Sequence, residues 1–112
     1  MIMKSIVSSL NLTLYTQNLS LDRSIKGCYS GDLLSDVLAR ACIGCLWITI
    51  QMHPNIIPVA VMKEFPGILI VNGRIPEPEV ISKAENERVV LLGTPLSAYE
   101  ISGRLWELGF QP

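Results

Sequence analysis

From residue 25 to the C-terminus, short apolar runs rich in β-branched residues alternate with segments of helical periodicity. Strands are predicted at residues 25–29, 45–51, 68–71 and 89–92, and each is followed by a helix. Strands joined by helical crossovers run parallel, and such crossovers are almost always right-handed. The alternation therefore predicts an α/β fold in which helices cover a mostly parallel sheet. A short helix over residues 2–10 and a short strand over residues 12–16 precede this pattern.

Capping residues set the predicted ends of the first crossover helix. Asp32 is expected to cap it, and Gly44 follows its end near residue 42. Its apolar residues repeat at helical spacing and are expected to face the core: Leu33, Leu34, Val37, Leu38 and Ala41.

Prolines set the start of the later helices. With Asn55 as the cap, Pro58 falls at the third helical position, where no intrahelical hydrogen bond is lost, so a helix is predicted over residues 56–64. Pro76 and Pro78 precede a helix that ends near residue 87. Thr94 followed by Pro95 predicts the start of the last helix. The inward residues of that helix are expected to be Ala98, Ile101, Leu105 and Leu108.

The composition favours self-association and disfavours two classes of partner. Hydrophobic residues make up 49% of the 112-residue chain and charged residues 17%, against about 25% charged in an average soluble protein. So apolar a domain is expected to expose apolar surface, which a homodimer would bury. Because the net charge is −1, neither a nucleic acid nor a membrane is expected as a partner. Trp47, Met52, Met62 and Trp106 are predicted to lie in the core or in a dimer contact.

The chain has neither an apolar run long enough to span a bilayer nor an N-terminus that reads as a signal peptide. It has three cysteines, an odd number that argues against a disulfide framework. A single domain over residues 1–112 in the cytoplasm is the expectation.

Polar residues follow each predicted strand, at the edge where open α/β sheets bind ligands. The candidate ligand-binding residues are Asp32, Ser35, His53, Asn55, Asn72, Gly73, Arg74 and Thr94. Helix N-termini at this edge offer free N–H groups to an anion, so a phosphate or carboxylate ligand is one interpretation. The alternative is that these residues only cap helices and form turns.

The sequence contains little evidence for catalytic activity. His53, the only histidine, has no nucleophile-elbow motif or triad spacing around it. Cys42 and Cys45 form a CxxC at a helix C-terminus, where the dipole opposes a thiolate, so core cysteines are predicted. Neither a phosphate-binding loop motif nor a second metal-ligand pair occurs, so no catalytic residue, metal or cofactor is predicted.

Three separated motifs resemble a known family: residues 31–37 (GDLLSDV), residues 47–51 (WITIQ) continuing through His53 and Asn55, and residues 72–74 (NGR). They are similar to small DRTGG-domain proteins, which are likened to the N-terminal domain of HPr serine kinase. The resemblance spans roughly residues 24–108 and implies a three-layer α/β/α sandwich. In that family the domain is a regulatory, dimerising appendage of enzymes such as phosphotransacetylase or a pyrophosphatase, without catalytic residues.

This sequence departs from the family pattern at two places. Where the family has an Asp-Arg pair followed by an acid, His53 takes the arginine position and Asn55 the acid position. The TGG motif becomes residues 71–73 (VNG), with one glycine kept. The family's ligand is therefore not carried over to this chain.

These observations predict a non-catalytic regulatory or ligand-sensing domain that dimerises and binds a small anionic or nucleotide-like metabolite. One alternative is an adaptor that docks on a larger metabolic enzyme through its apolar face. The least favoured alternative is an enzyme that acts on a small phosphorylated metabolite with His53 as the base.

Overall fold

The computed structural model describes residues 2–112. Helices and strands alternate along the chain in the predicted order. They are α1 (Met3–Ser9), β1 (Thr13–Leu14), β2 (Cys28–Ser30), α2 (Leu34–Arg40), β3 (Leu46–Thr49), α3 (Ile56–Met62), β4 (Gly67–Ile70), α4 (Pro78–Asn86), β5 (Val90–Gly93) and α5 (Ala98–Glu107).

The strands form one five-stranded sheet in the order β1-β5-β4-β3-β2. The strands β2 to β5 are parallel neighbours, and β1 pairs with β5 in the antiparallel direction. Because β2 to β5 lie side by side in chain order, right-handed crossovers place α2, α3 and α4 on the same face of the sheet. The other face is left to α1 and α5.

Two hydrophobic cores confirm this three-layer arrangement. In the first core, Trp47 and Ile68 of the sheet pack with Val37 of α2, Ile57 of α3 and Val80 of α4. The residues that alternate with them along the strands point to the opposite face. There, Ile48, Leu69 and Leu92 join Met3 and Ile6 of α1 and Ile101 and Leu105 of α5 in the second core. The α/β/α sandwich predicted from the sequence is therefore correct.

The central strands are buried on both faces, as their uninterrupted apolar sequences predict. Every residue of β3, β4 and β5 is buried. Helices on both faces of a parallel sheet leave no strand face in water, which explains why these strands lack a polar alternation.

The proline argument for α3 is confirmed, since Asn55 is its N-cap residue and Pro58 is the third residue of the helix. The Asn55 side chain makes no capping hydrogen bond. Pro78 likewise occupies the first turn of α4.

Two predicted caps are wrong. The N-cap residue of α2 is Leu33, and Asp32 bonds across to β3 instead. The cap of α5 is Ser97, whose Oγ accepts a hydrogen bond from the Glu100 N–H at 3.3 Å. Thr94 cannot cap α5, because it is the first residue of the four-residue connection, Thr94 to Ser97, that separates β5 from α5.

Several residues predicted to be buried are exposed. Leu33 is 68% exposed because the helix begins after it, and Leu108 is 36% exposed because α5 ends before it. Phe110, rather than Leu108, packs into the second core. Of the residues predicted to lie in the core or in a dimer contact, Trp47 is completely buried, whereas Met62 and Trp106 lie on the surface and not in the core. No helix within residues 2–112 is long and apolar enough to cross a membrane.

Candidate functional site

The predicted site residues lie along the edge of the sheet where β2, β3, β4 and β5 end, which we call the rim. The chain leaves these strands through residues 31–33, 50–55, 71–77 and 94–97. Neighbouring strands are about 4.8 Å apart, so adjacent loops are within side-chain reach of one another. The rim has two halves, which are held together in different ways.

The half formed by β2 and β3 is held by the Asp32 carboxylate. Its Oδ1 accepts hydrogen bonds from the Thr49 hydroxyl at 2.8 Å and from the Ile50 N–H at 2.9 Å. The Gln51 Nε2 in turn donates to the Asp32 backbone carbonyl at 3.1 Å. Thr49 is 1% exposed, so its hydroxyl proton depends on this acceptor. Asp32 therefore joins the ends of two strands.

The remaining predicted residues of this half lie on the surface. The His53 Nδ1 accepts a hydrogen bond from the Asn55 N–H at 3.1 Å, which closes the turn before α3. An accepting Nδ1 places the proton of a neutral imidazole on Nε2. Ser35 and Asn55 are exposed, and no hydrogen bond within residues 2–112 engages their side chains. Among residues 2–112, the His53 side chain makes no hydrogen bond to a nucleophile or a carboxylate, so this geometry does not support a role as a general base.

The half formed by β4 and β5 is held by backbone hydrogen bonds. The Gly73 N–H donates to the Thr94 carbonyl at 2.8 Å, and the Asn72 N–H donates to the Leu96 carbonyl at 2.9 Å. Asn72 and Gly73 both have positive φ, 62° and 66°, as a tight turn with two left-handed residues requires. The chain passes from β4 to α4 on one face and from β5 to α5 on the other. These bonds join the two diverging connections.

Thr94 is a structural residue of this half. It is 3% exposed, and its Oγ1 accepts a hydrogen bond from the Leu96 N–H at 3.2 Å. A ligand at the rim has little access to this hydroxyl. Of the predicted residues in this half, Asn72, Gly73 and Arg74 are exposed.

Tyr15 also stabilises the β4–β5 half of the rim. Its hydroxyl donates to the Arg74 backbone carbonyl at 3.2 Å. A Cβ atom on Gly93 would lie 2.4 Å from the Tyr15 hydroxyl oxygen, so only glycine at residue 93 leaves room for this phenol. The Arg74 main chain is thus held in place while its guanidinium stays free of intramolecular hydrogen bonds within residues 2–112.

Taken together, the rim offers a guanidinium, two carboxamides, an imidazole and a hydroxyl on an open surface. Five surface cavities elsewhere on the described chain have none of the predicted site residues in their walls. Such a surface suits an anionic or polar ligand that stays partly in solvent. It does not enclose a ligand as a deep apolar pocket does.

Cys28 and Cys45 behave as core thiols. Burial raises the pKa of Cys28 and of Cys45 to about 12, so both remain protonated at neutral pH. A redox-active CxxC requires a stabilised thiolate, which is the opposite condition. Among residues 2–112, no three His, Cys, Asp or Glu side chains come together as metal ligands do.

Sequence reasoning missed Thr49, Gln51 and Tyr15 as parts of the rim. Thr49 and Gln51 stand in a run that predicts a buried strand, and nothing in that pattern marks their hydrogen bonds to Asp32. Tyr15 is 59 positions away from Arg74 along the chain, and no local signal connects the two.

No protein-family model matches this sequence, and no curated protein matches it. A solved structure similar to this chain is that of the CBS and DRTGG domains of the regulatory region of Clostridium perfringens pyrophosphatase, in complex with the activator diadenosine tetraphosphate. The superposition has a TM-score of 0.68 at 13% sequence identity, and it covers 89% of this chain and 44% of the other. This chain therefore has a DRTGG-like fold, of a kind that occurs in a regulatory region.

Proposed function

We propose that this chain is a DRTGG-type regulatory domain without catalytic activity, which binds a small anionic or nucleotide-like metabolite at the rim and acts as a homodimer. The observation that carries the proposal is the similarity in fold to a regulatory region that was solved with a nucleotide activator. The three DRTGG-like sequence motifs lie at the ends of β2, β3 and β4, which adds independent support.

Within the rim, we assign ligand contact mainly to the β4–β5 half. Arg74 supplies a cation whose planar guanidinium can make two parallel hydrogen bonds to a phosphate or carboxylate. Asn72 and Asn55 add amide groups, and His53 and Ser35 add further donors from the neighbouring half. Asp32 already bonds to β3 through Oδ1, and its negative charge would oppose an anion placed directly on it.

The proposal is tested by thermal unfolding in the presence of diadenosine tetraphosphate, a mononucleotide series and inorganic phosphate. A ligand that binds only the folded state raises the unfolding temperature by mass action. A free ligand concentration of 100 times Kd adds about 2.7 kcal/mol to the free energy of unfolding. We expect a shift with at least one of these probes. Arg74→Ala should abolish that shift.

Lys83→Ala is the matched control, because it also removes an exposed positive charge but on α4, outside the rim. It should keep the shift. The proposal fails if none of these probes changes the unfolding temperature, or if Arg74→Ala responds as the unmodified chain does.

The partner that receives the signal is a larger metabolic enzyme in this proposal. The chain spans 44% of the structure that it resembles, which comprises the CBS and DRTGG domains of the regulatory region of a pyrophosphatase. Its three free cysteines fit the reducing environment of the cytoplasm, where we place the protein.

A further inference from the structure

The outer face of α5 carries two large aromatic side chains that nothing within residues 2–112 covers. Tyr99 is 90% exposed and Trp106 is 59% exposed. They are seven residues apart, or about 10.5 Å along the helix axis, and therefore project from nearly the same side of α5. Ser102 and Gly103 lie between them and leave a notch bordered by the two rings.

Gly103 makes this notch possible, although the chain itself has no need for a glycine there. A Cβ atom built on Gly103 would meet nothing within 4 Å. Glycine in the middle of a helix makes the helix less stable than alanine would. Gly103 does not have a positive φ, so its backbone conformation does not require glycine either. What its missing side chain provides is close access to the α5 backbone from outside the molecule.

A polar atom beside the notch also lacks a partner. The Ser102 Oγ is buried and makes no hydrogen bond within residues 2–112. Ser102 lines both the notch and a neighbouring cavity of about 100 Å³, whose wall includes Trp106 and Ser30 at the sheet edge. An unpaired buried hydroxyl is uncommon in a complete structure. The aromatic pair, the glycine and the hydroxyl thus mark one surface that is incomplete in the isolated chain.

We propose that this surface, the α5 face, is where two copies of the chain meet, with their α5 helices antiparallel about a two-fold axis near Gly103. The inference rests on the homodimer of the proposed function and names its interface. In this arrangement Trp106 of each copy enters the notch of the other, next to Tyr99 of the partner subunit. A ring and a notch on one short helix make the surface complementary to itself, as a two-fold interface requires.

Charge and area agree with a second copy as the occupant. Glu100 and Arg104 flank the notch. An antiparallel pairing of the two helices centred on the notch brings Glu100 near Arg104 of the partner subunit, and Arg104 near Glu100 of the partner subunit. A buried Tyr or Trp contributes about 150–250 Å², so the four rings supply roughly 600–1,000 Å². The polar residues around them bring the total toward the ~1,200–2,000 Å² of a stable interface.

Sedimentation velocity on the full chain at micromolar concentration tests the interface. We expect a mass of about 25 kDa, twice the 12.4 kDa of one chain. Trp106→Glu should raise the dimer Kd at least tenfold, because it removes the ring and places a charge in the notch. Gly103→Gln should do the same by filling the notch, and its side chain has open space in the monomer, so the variant should fold normally.

Met62→Glu is the matched control, since Met62 is an exposed apolar residue of α3 in the opposite layer. It should leave the Kd unchanged. Glu100→Arg and Arg104→Glu should each weaken the dimer, and the double exchange should restore most of the affinity. A mass of 12.4 kDa, or a dimer that Trp106→Glu and Gly103→Gln leave intact, would overturn the proposal. A dimer with these responses but without any ligand shift would support the interface and count only against the ligand-binding function.

Discussion

The two halves of the rim look alike in sequence but are built differently. In the β2–β3 half, side chains join the two strand ends: the Asp32 carboxylate accepts from Thr49 and Ile50, and the Gln51 side chain donates to the Asp32 carbonyl. In the β4–β5 half, main-chain groups of Asn72 and Gly73 bond to the carbonyls of Leu96 and Thr94. Both halves have their loops fixed. Only in the second do main-chain bonds join the two loops, with the Tyr15 and Thr94 hydroxyls in support.

This difference separates the rim residues that hold the fold from those whose side chains are free to bind a ligand. A side chain that holds the fold is occupied and has little capacity left for a ligand, whereas a turn held by its main chain leaves its side chains free. Asp32 and Thr94 belong to the first kind, and Arg74 and Asn72 to the second. Truncating Asp32 should therefore mainly lower the stability of the fold, whereas truncating Arg74 should mainly weaken ligand binding.

The largest effect on stability is expected from Asp32→Ala. The substitution leaves the buried Thr49 hydroxyl and the Ile50 N–H without their acceptor. Since an unsatisfied buried donor costs about 1–3 kcal/mol, we expect the free energy of unfolding to fall by about 2–3 kcal/mol in urea denaturation. Asp32→Asn keeps an accepting oxygen and should lose less than half as much.

Ser35→Ala is the control for this half, because Ser35 is exposed and lies in the adjacent first turn of α2. It should change the free energy of unfolding by less than about 0.5 kcal/mol. A similar loss in Ser35→Ala and Asp32→Ala would show that the hydrogen bonds of Asp32 do not hold the strand ends.

A smaller loss is expected in the other half from Gly73→Ala. Gly73 has φ of +66°, and an added Cβ would lie 3.8 Å from Pro95, an ordinary contact. The cost therefore comes from the left-handed backbone, about 1–2 kcal/mol for a residue with a Cβ. Asn72→Gly, at the neighbouring left-handed residue, should cost nothing or stabilise slightly in the same denaturation series. Equal losses at both positions would contradict this explanation of the turn.

The smallest effect is expected from Tyr15→Phe, which removes the hydrogen bond to the Arg74 carbonyl. The expected loss is about 0.5–1 kcal/mol, because the carbonyl lies close enough to solvent to find water. If the turn depends on Tyr15, the variant should also weaken the ligand-induced thermal shift that Arg74 supports.

The pH dependence of stability provides a second measurement on Tyr15. Burial raises the pKa of Tyr15 above its usual 10.0. The neutral phenol is therefore favoured in the folded state, so its contribution is complete below pH 10 and is lost as the pH rises through the raised value. Tyr15→Phe should flatten that part of the alkaline stability curve. An unchanged slope above pH 10 would show that Tyr15 does not titrate differently on folding.

The fold could be predicted largely from local patterns. The central strands were recognisable because burial on both faces requires long apolar runs, and the start of α3 because Pro58 tolerates only the first turn of a helix. The errors fall at the ends of elements. Asp32 and Thr94 are both good capping residues, but tertiary hydrogen bonds use Asp32 across the sheet and Thr94 within its own loop.

For the candidate site, the sequence could predict the location but not which side chains are free to bind a ligand. Polar residues after parallel strands must lie at one edge of the sheet, and all the predicted residues do so. Which of them are free to bind a ligand depends on partners that are distant in sequence, such as Tyr15 for Arg74 and Thr49 for Asp32.

The amino-acid sequence by itself determined the layer architecture, because hydrophobic periodicity and proline sterics act over a few residues and leave a readable pattern. It also determined which edge of the sheet carries polar groups. Only the tertiary structure decided which of those polar groups are engaged in intramolecular hydrogen bonds at that edge. It also left Tyr99 and Trp106 uncovered on α5, since burial and hydrogen bonding are settled by packing between segments that are far apart in the chain.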